Sequence, residues 1–156
     1  MNLIDVVSVF LQTNDDSYLL QLRDNDPSIV YSGYWGLFGG SMEEEESPHD
    51  AIVRELQEEI HYVPEEIYEF RQYQQQNRRI NVCYAKIGVP VSELKLKEGV
   101  DLGLFSVKEI SRGQLYSQKL QAYFPVPSLL QEYFQDFLKW NLTDESSITF
   151  GELNES

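Results

Sequence analysis

The stretch from Ser47 to Ile60 limits the architecture of this chain more than any other. Ser47 is a favoured helix N-cap, Pro48 takes the first helical position and Asp50 the third, a capping-box arrangement with the favoured proline. Ile52, Leu56 and Ile60 fall at i, i+4 and i+8, so the spacing predicts a helix over residues 48–60 with one apolar stripe. Such a helix needs a sheet to lie on, and the sequence on either side supplies strands.

Residues 3–11 (Leu-Ile-Asp-Val-Val-Ser-Val-Phe-Leu) read as a buried, β-branched strand. Asn14-Asp15-Asp16-Ser17 is turn chemistry, and Tyr18 to Leu22 returns as a second strand, which predicts a hairpin. A polar loop with Pro27 and Gly33 leads into Trp35-Gly36-Leu37-Phe38 and then Gly39-Gly40. Strands are expected near 66–75 and 79–88, joined at Gln76-Asn77-Arg78, with a short one over 102–107. Apolar residues at helical spacing predict a second helix over 128–140. Strands, one central helix, more strands and a terminal helix describe an α/β fold, a mixed sheet covered by helices on both faces.

At 156 residues the chain fits one domain, spanning 1–141, with a polar, acidic tail over 142–156 expected to fray. Cys83 is the only cysteine, which excludes an internal disulfide and a cysteine-rich metal site. No apolar run approaches the roughly 18 residues of a membrane helix. Met1 to Asp5 lacks the basic start of a secretory signal, so the cytoplasm is the expected compartment. The formal net charge of −14 disfavours nucleic acid and anionic membranes as partners. A phosphate-bearing small molecule is compatible with that charge only if divalent cations stand between it and the protein.

Glu55, Glu58 and Glu59 lie at i, i+3 and i+4, so three carboxylates share one helix face beside the apolar stripe. Like charges at this spacing cost a few tenths of a kcal/mol per pair, and only Arg54, four residues before Glu58, offers local compensation. A hard divalent cation would resolve the repulsion, since magnesium prefers carboxylate oxygens. On the helix alone, a solvated acidic face is the better explanation of these residues.

The wider spacing favours the metal. From Gly40 to Tyr62 the chain resembles the Nudix box, Gly-x5-Glu-x7-Arg-Glu-U-x-Glu-Glu-x-Gly-U, with U a bulky aliphatic residue. Gly40, Glu46, Arg54, Glu55, Leu56, Glu58 and Glu59 match seven of the nine defined positions. The approach Trp35-Gly36-Leu37-Phe38-Gly39-Gly40 also looks like the family's. His61 replaces the second glycine and Tyr62 the final aliphatic. The glycine normally closes the helix in a left-handed conformation, which histidine tolerates at a cost of roughly 1 kcal/mol. Phe38 stands where many relatives have proline, and Glu45 where many have glycine.

The resemblance implies an α/β/α sandwich with a mixed sheet and water attack at phosphorus in a diphosphate linkage. It implies magnesium, with manganese as a substitute, held by Glu55, Glu58, Glu59 and a backbone carbonyl of the Gly40 region. Arg54 is expected to orient a box carboxylate through a charge-assisted hydrogen bond, and Glu46 to act through water. Glu43, Glu44 and Glu45 also read as a solvated loop. Some relatives take the general base from the box, here Glu58 or Glu59, and others from a later loop. Glu98, in Lys97-Glu98-Gly99-Val100-Asp101 ahead of the short strand, resembles that loop acid, or is a surface turn residue.

Substrate choice lies outside the box. Arg23 ends the second strand near the expected cleft and is a candidate for a phosphate, against a plain surface charge. Tyr34 and Trp35 are candidates to stack a base, against a place in the core. Arg78 and Arg79 read as solvating a hairpin. The leading expectation is hydrolysis of a nucleoside diphosphate linked to another moiety, such as a nucleotide sugar or ADP-ribose. A house-cleaning nucleoside triphosphate pyrophosphatase and a catalytically retired ligand sensor are the alternatives. Dimers are common among relatives, so a homodimer is also in view.

Overall fold

The computed structural model describes residues 2–24, 33–96 and 99–151, the stretch 142–151 by its backbone alone. In chain order the elements are β1 (Ile4–Gln12), β2 (Ser17–Leu22), β3 (Trp35–Gly36), β4 (Phe38–Ser41), α1 (Pro48–Ile60), β5 (Ile67–Gln75) and β6 (Arg78–Lys86). After a short 3₁₀ turn at Val91–Glu93 come β7 (Asp101–Ser106), α2 (Val107–Ile110), β8 (Gln114–Ser117), β9 (Ala122–Pro125) and α3 (Ser128–Gly151).

β1 organises the mixed sheet. β6 runs parallel to it from Ile4↔Arg78 to Gln12↔Lys86, and β5 pairs antiparallel outside β6. On its other edge β1 meets β2 at Gln12↔Tyr18. The two strands then part, and β4 takes that edge of β1 from Val9↔Phe38 to Val6↔Ser41. Gln21 and Leu22 of β2 pair instead with β3, while β7 lines the whole opposite edge of β2, from Ser17↔Ser106 to Leu22↔Asp101. Gly39 permits the β1–β4 contact, because a Cβ there would stand 1.9 Å from the Val7 carbonyl oxygen.

A strand with neighbours on both edges and helices on both faces needs apolar residues along most of its length, and in β1 Val6, Val7, Val9, Phe10 and Leu11 supply them. Val7, Val9 and Leu11 face Ala51, Ile52, Leu56 and Ile60 of α1, all 0% exposed. The predicted stripe is thus the buried one, and each large side chain contributes about 1.5–3 kcal/mol by leaving water. Val6 and Phe10 face the opposite layer, where the Phe10 ring lies 4.7 Å from both Phe134 and Phe137 of α3. The α/β/α sandwich expected from the sequence is present.

Local signals hold closely at α1. The Ser47 hydroxyl accepts the Asp50 N–H at 3.1 Å, and His61 closes the helix at φ 53°, ψ 36°. A complete capping box is found instead at α2, between Ser106 and Glu109. The β8–β9 hairpin and α2 were not legible, and α3 runs on to Gly151 through much of the segment expected to fray. No helix among the described residues is long and apolar enough to cross a membrane.

Candidate active site

Arg54 is the hub of the acidic region. Its Nε and Nη2 donate to the two carboxylate oxygens of Glu46 at 2.7 and 2.9 Å, a bidentate clamp across eight residues of chain. Nη2 also reaches the Ser41 carbonyl at 3.0 Å, and Nη1 donates to Glu55 Oε2 at 3.0 Å. Glu58 is farther from it, at 3.8 Å, and Glu43 at 3.6 Å. Glu46 further accepts the Glu43 N–H at 2.7 Å. Arg54 first, and that amide second, push the Glu46 carboxyl down to about 2. Glu46 is thus held in direct contact with Arg54. Glu43, Glu44 and Glu45 are exposed, as a solvated loop would be, and Glu45 sits at φ 67°, a left-handed position where glycine is the easier residue.

Arg54 thus bonds two carboxylates of the box, and the second is Glu55. It lies directly on β4, where a Cβ added to Gly40 would stand 2.5 Å from Glu55 Oε2. Glu55 has 12% of its side chain exposed and Glu58 53%, while Glu59 is buried at 4%. The donor set suits the divalent cation that the resemblance implies: hard oxygens on one helix face, and a glycine backbone approached as closely as only glycine allows. Among the described residues no three acidic, histidine or cysteine side chains already form a metal-binding group. Glu58, the most exposed of the three, has room to turn toward the others.

Gly39, Gly40 and Ser41 of β4 also border a cleft of about 420 Å³, formed where β1 and β2 part and lined by none of the α1 carboxylates. Its walls include Ser8, Gly39, Gly40 and Ser41, with Pro127, Leu130 and Tyr133 from the start of α3 above. Arg23 and Arg78 both line it. Arg23 Nε is buried there with no hydrogen-bond partner among the described residues. A buried donor left unmet costs about 1–3 kcal/mol, more when charged, so this nitrogen favours an anion in the cleft.

Three expectations change here. Trp35 borders the cleft but is 0% exposed, packed edge-on to Phe105 at 4.9 Å, with its indole N–H donated to the Leu115 carbonyl. It therefore has no open face on which a base could stack. Arg78 does not merely solvate a hairpin, since the parallel β1–β6 pairing carries it to the cleft. Arg79 grips Asp5 with two bonds of 2.6 and 3.0 Å. Glu98 lies outside the described residues; past it, Val100 N–H bonds the Leu22 carbonyl at 2.8 Å, one residue from Arg23.

A model of the NUDIX domain matches residues 2–124. No curated protein matches the sequence. Among solved structures, the MutT protein of Methanosarcina mazei Go1 is similar at TM-score 0.66 and 21% identity, covering 90% of this chain and 96% of that one. The E. coli ORF135 protein is similar at TM-score 0.52 and 27% identity, covering 70% and 77%. The NUDIX domain of Shewanella oneidensis NrtR, solved in complex with ADP ribose, is similar at TM-score 0.64 and 21% identity, covering 88% and 90%. The chain thus belongs to the Nudix family, hydrolases of phosphorus-containing anhydrides that generally use divalent metal ions.

Proposed function

We propose that this chain hydrolyses the diphosphate linkage of a nucleoside diphosphate joined to another moiety, of the nucleotide-sugar or ADP-ribose type. The observation that carries this reading is the unmet Nε of Arg23 in a cleft that Gly40 also lines. Gly40 in turn bears the Glu55 carboxylate on its backbone, so an anion-seeking wall and an acidic wall meet at one residue. The cleft volume suits a ligand of nucleotide size. The similar NUDIX domain complexed with ADP ribose supports the same class.

In this reading Arg23 and Arg78 bind phosphate oxygens. Glu55, held by Arg54, together with Glu58, Glu59 and the Gly40 backbone would hold magnesium, with manganese as a substitute. Bound there, the metal would neutralise phosphate charge and make water a better nucleophile. Attack of water on phosphorus breaks the bridging P–O bond and leaves two phosphate monoesters. The proton of that water passes to a carboxylate, Glu59 or Glu58 in the box or Glu98 in the loop before β7.

A panel of nucleotide sugars, ADP-ribose and nucleoside triphosphates, incubated with magnesium and resolved by product, tests the proposal. Two monoesters from a diphosphate substrate are expected. Pyrophosphate released from a triphosphate would replace it with the pyrophosphatase reading, and no turnover at all with the sensor.

A further inference from the structure

The β8–β9 hairpin stands apart from the main sheet, yet its bonds reach the walls of the cleft. The Leu115 carbonyl accepts the Trp35 indole N–H at 3.0 Å in the interior. The fully buried Ser117 hydroxyl donates to Asp101, at the start of β7, at 2.7 Å. Beyond β9, Val126 N–H bonds the Gly113 carbonyl at 2.9 Å, and the next residue, Pro127, begins the roof of the cleft.

Arg23 depends on β3 for its position. Its N–H donates to the Tyr34 carbonyl at 3.0 Å, and its Cδ passes 4.0 Å from where a Cβ on Gly36 would stand. β3 has only two residues and two register pairs with β2. So short a ladder holds its place weakly, because the bulk of sheet stability comes from side-chain packing across longer pairings. Trp35 is the one large side chain of β3, and the hairpin holds its polar atom.

We infer that Trp35 is a positioning residue for phosphate binding: its hydrogen bond to Leu115 ties β3, and with it the Arg23 guanidinium, to the hairpin that leads into the cleft roof. The hairpin then sets the gap between Arg23 and α3, and so the width of group the cleft accepts. This rests on the reading that Arg23 binds a substrate phosphate.

Trp35→Phe keeps an aromatic ring and deletes the N–H. Proton–nitrogen NMR of the arginine Nε–H groups in the full chain reads Arg23 directly and needs no substrate. We expect Arg23 Nε–H to be protected in the parent and to exchange with water at least about tenfold faster in the variant, at similar folded content. Ser117→Ala, which loosens the hairpin without touching β3, should move it in the same direction and serves if Trp35→Phe folds poorly. Unchanged exchange in either folded variant overturns the assignment. On whichever panel substrate the parent turns over, Trp35→Phe should raise KM about 5- to 10-fold with kcat within about twofold, the scale of one lost hydrogen bond. That rise should vanish when Arg23→Ala is already present, since coupled residues are not additive. Additive effects would overturn the assignment as a general loss of packing. A parent inactive on the whole panel sinks the proposed function, while the NMR comparison still decides this one.

Discussion

The Glu55 carboxylate rests against the backbone of Gly40, with Oε2 2.5 Å from the point a Cβ would occupy. Gly40→Ala therefore evicts the carboxylate and breaks its 3.0 Å bond to Arg54. Because the obstructed group is the end of a flexible side chain, folding should survive with a loss of about 1 kcal/mol. Turnover should fall on the order of 10²-fold, as for an ångström-scale misplacement of a catalytic group. Thermal midpoint and kcat measured together check this; full turnover in Gly40→Ala would remove Glu55 from the site.

Glu46 gives the site an acid limb. Its folded pKa of about 2 lies below the ordinary 4.5, so its contribution to stability is present above pH 4.5 and lost as pH falls toward 2. Thermal midpoints of the parent and Glu46→Gln should accordingly differ most above pH 4.5 and converge as pH approaches 2. Curves that stay parallel across that window would show that the Arg54 clamp adds nothing in solution.

His61 is the residue whose departure from the box is a matter of conformation. At φ 53° it pays the left-handed strain that glycine avoids. His61→Gly should raise stability by up to ~1 kcal/mol with turnover roughly unchanged. A large loss of turnover in a well-folded His61→Gly protein would instead give the imidazole a part in binding or catalysis.

Arg23→Ala should weaken substrate binding by about 10- to 100-fold, the scale of a charge-assisted hydrogen bond, while leaving kcat less affected. Arg78→Ala should act in the same direction. A KM unchanged in both would take the phosphate out of this cleft.

How much was legible follows from the range of each interaction. The limits of α1 and the conformation of His61 depend on neighbours within a turn, and Ser47, Pro48 and the box spacing declare them. In the β8–β9 hairpin only β8 shows period-two burial, over four residues, and the turn places Gln121 at φ 55° without a glycine to mark it. Arg78 reaches the cleft only through parallel pairing between residues more than seventy apart, which no local pattern reveals. Trp35 was a stacking candidate although an aromatic entering a sheet is more often core; the partner that decides it, Leu115, lies eighty residues away. The grip of Arg54 on Glu46 was open to inference, since a short loop and two helical turns separate them, but four adjacent glutamates gave no reason to prefer one.

The central claim is that the acidic face of α1 carries a metal-dependent hydrolysis, and Glu59 is its most buried carboxylate, at 4% exposed. Glu59→Gln keeps size and helix preference and removes one negative charge, so the folded protein should be as stable as the parent or slightly more so. The decisive measurement is turnover of the parent's best diphosphate substrate by the parent and by Glu59→Gln, each with magnesium and with excess chelator. The account predicts two phosphate monoesters from the parent with magnesium, none in chelator, and a loss of several orders of magnitude in the variant. Equal turnover by parent and variant, or full turnover in chelator, would contradict it.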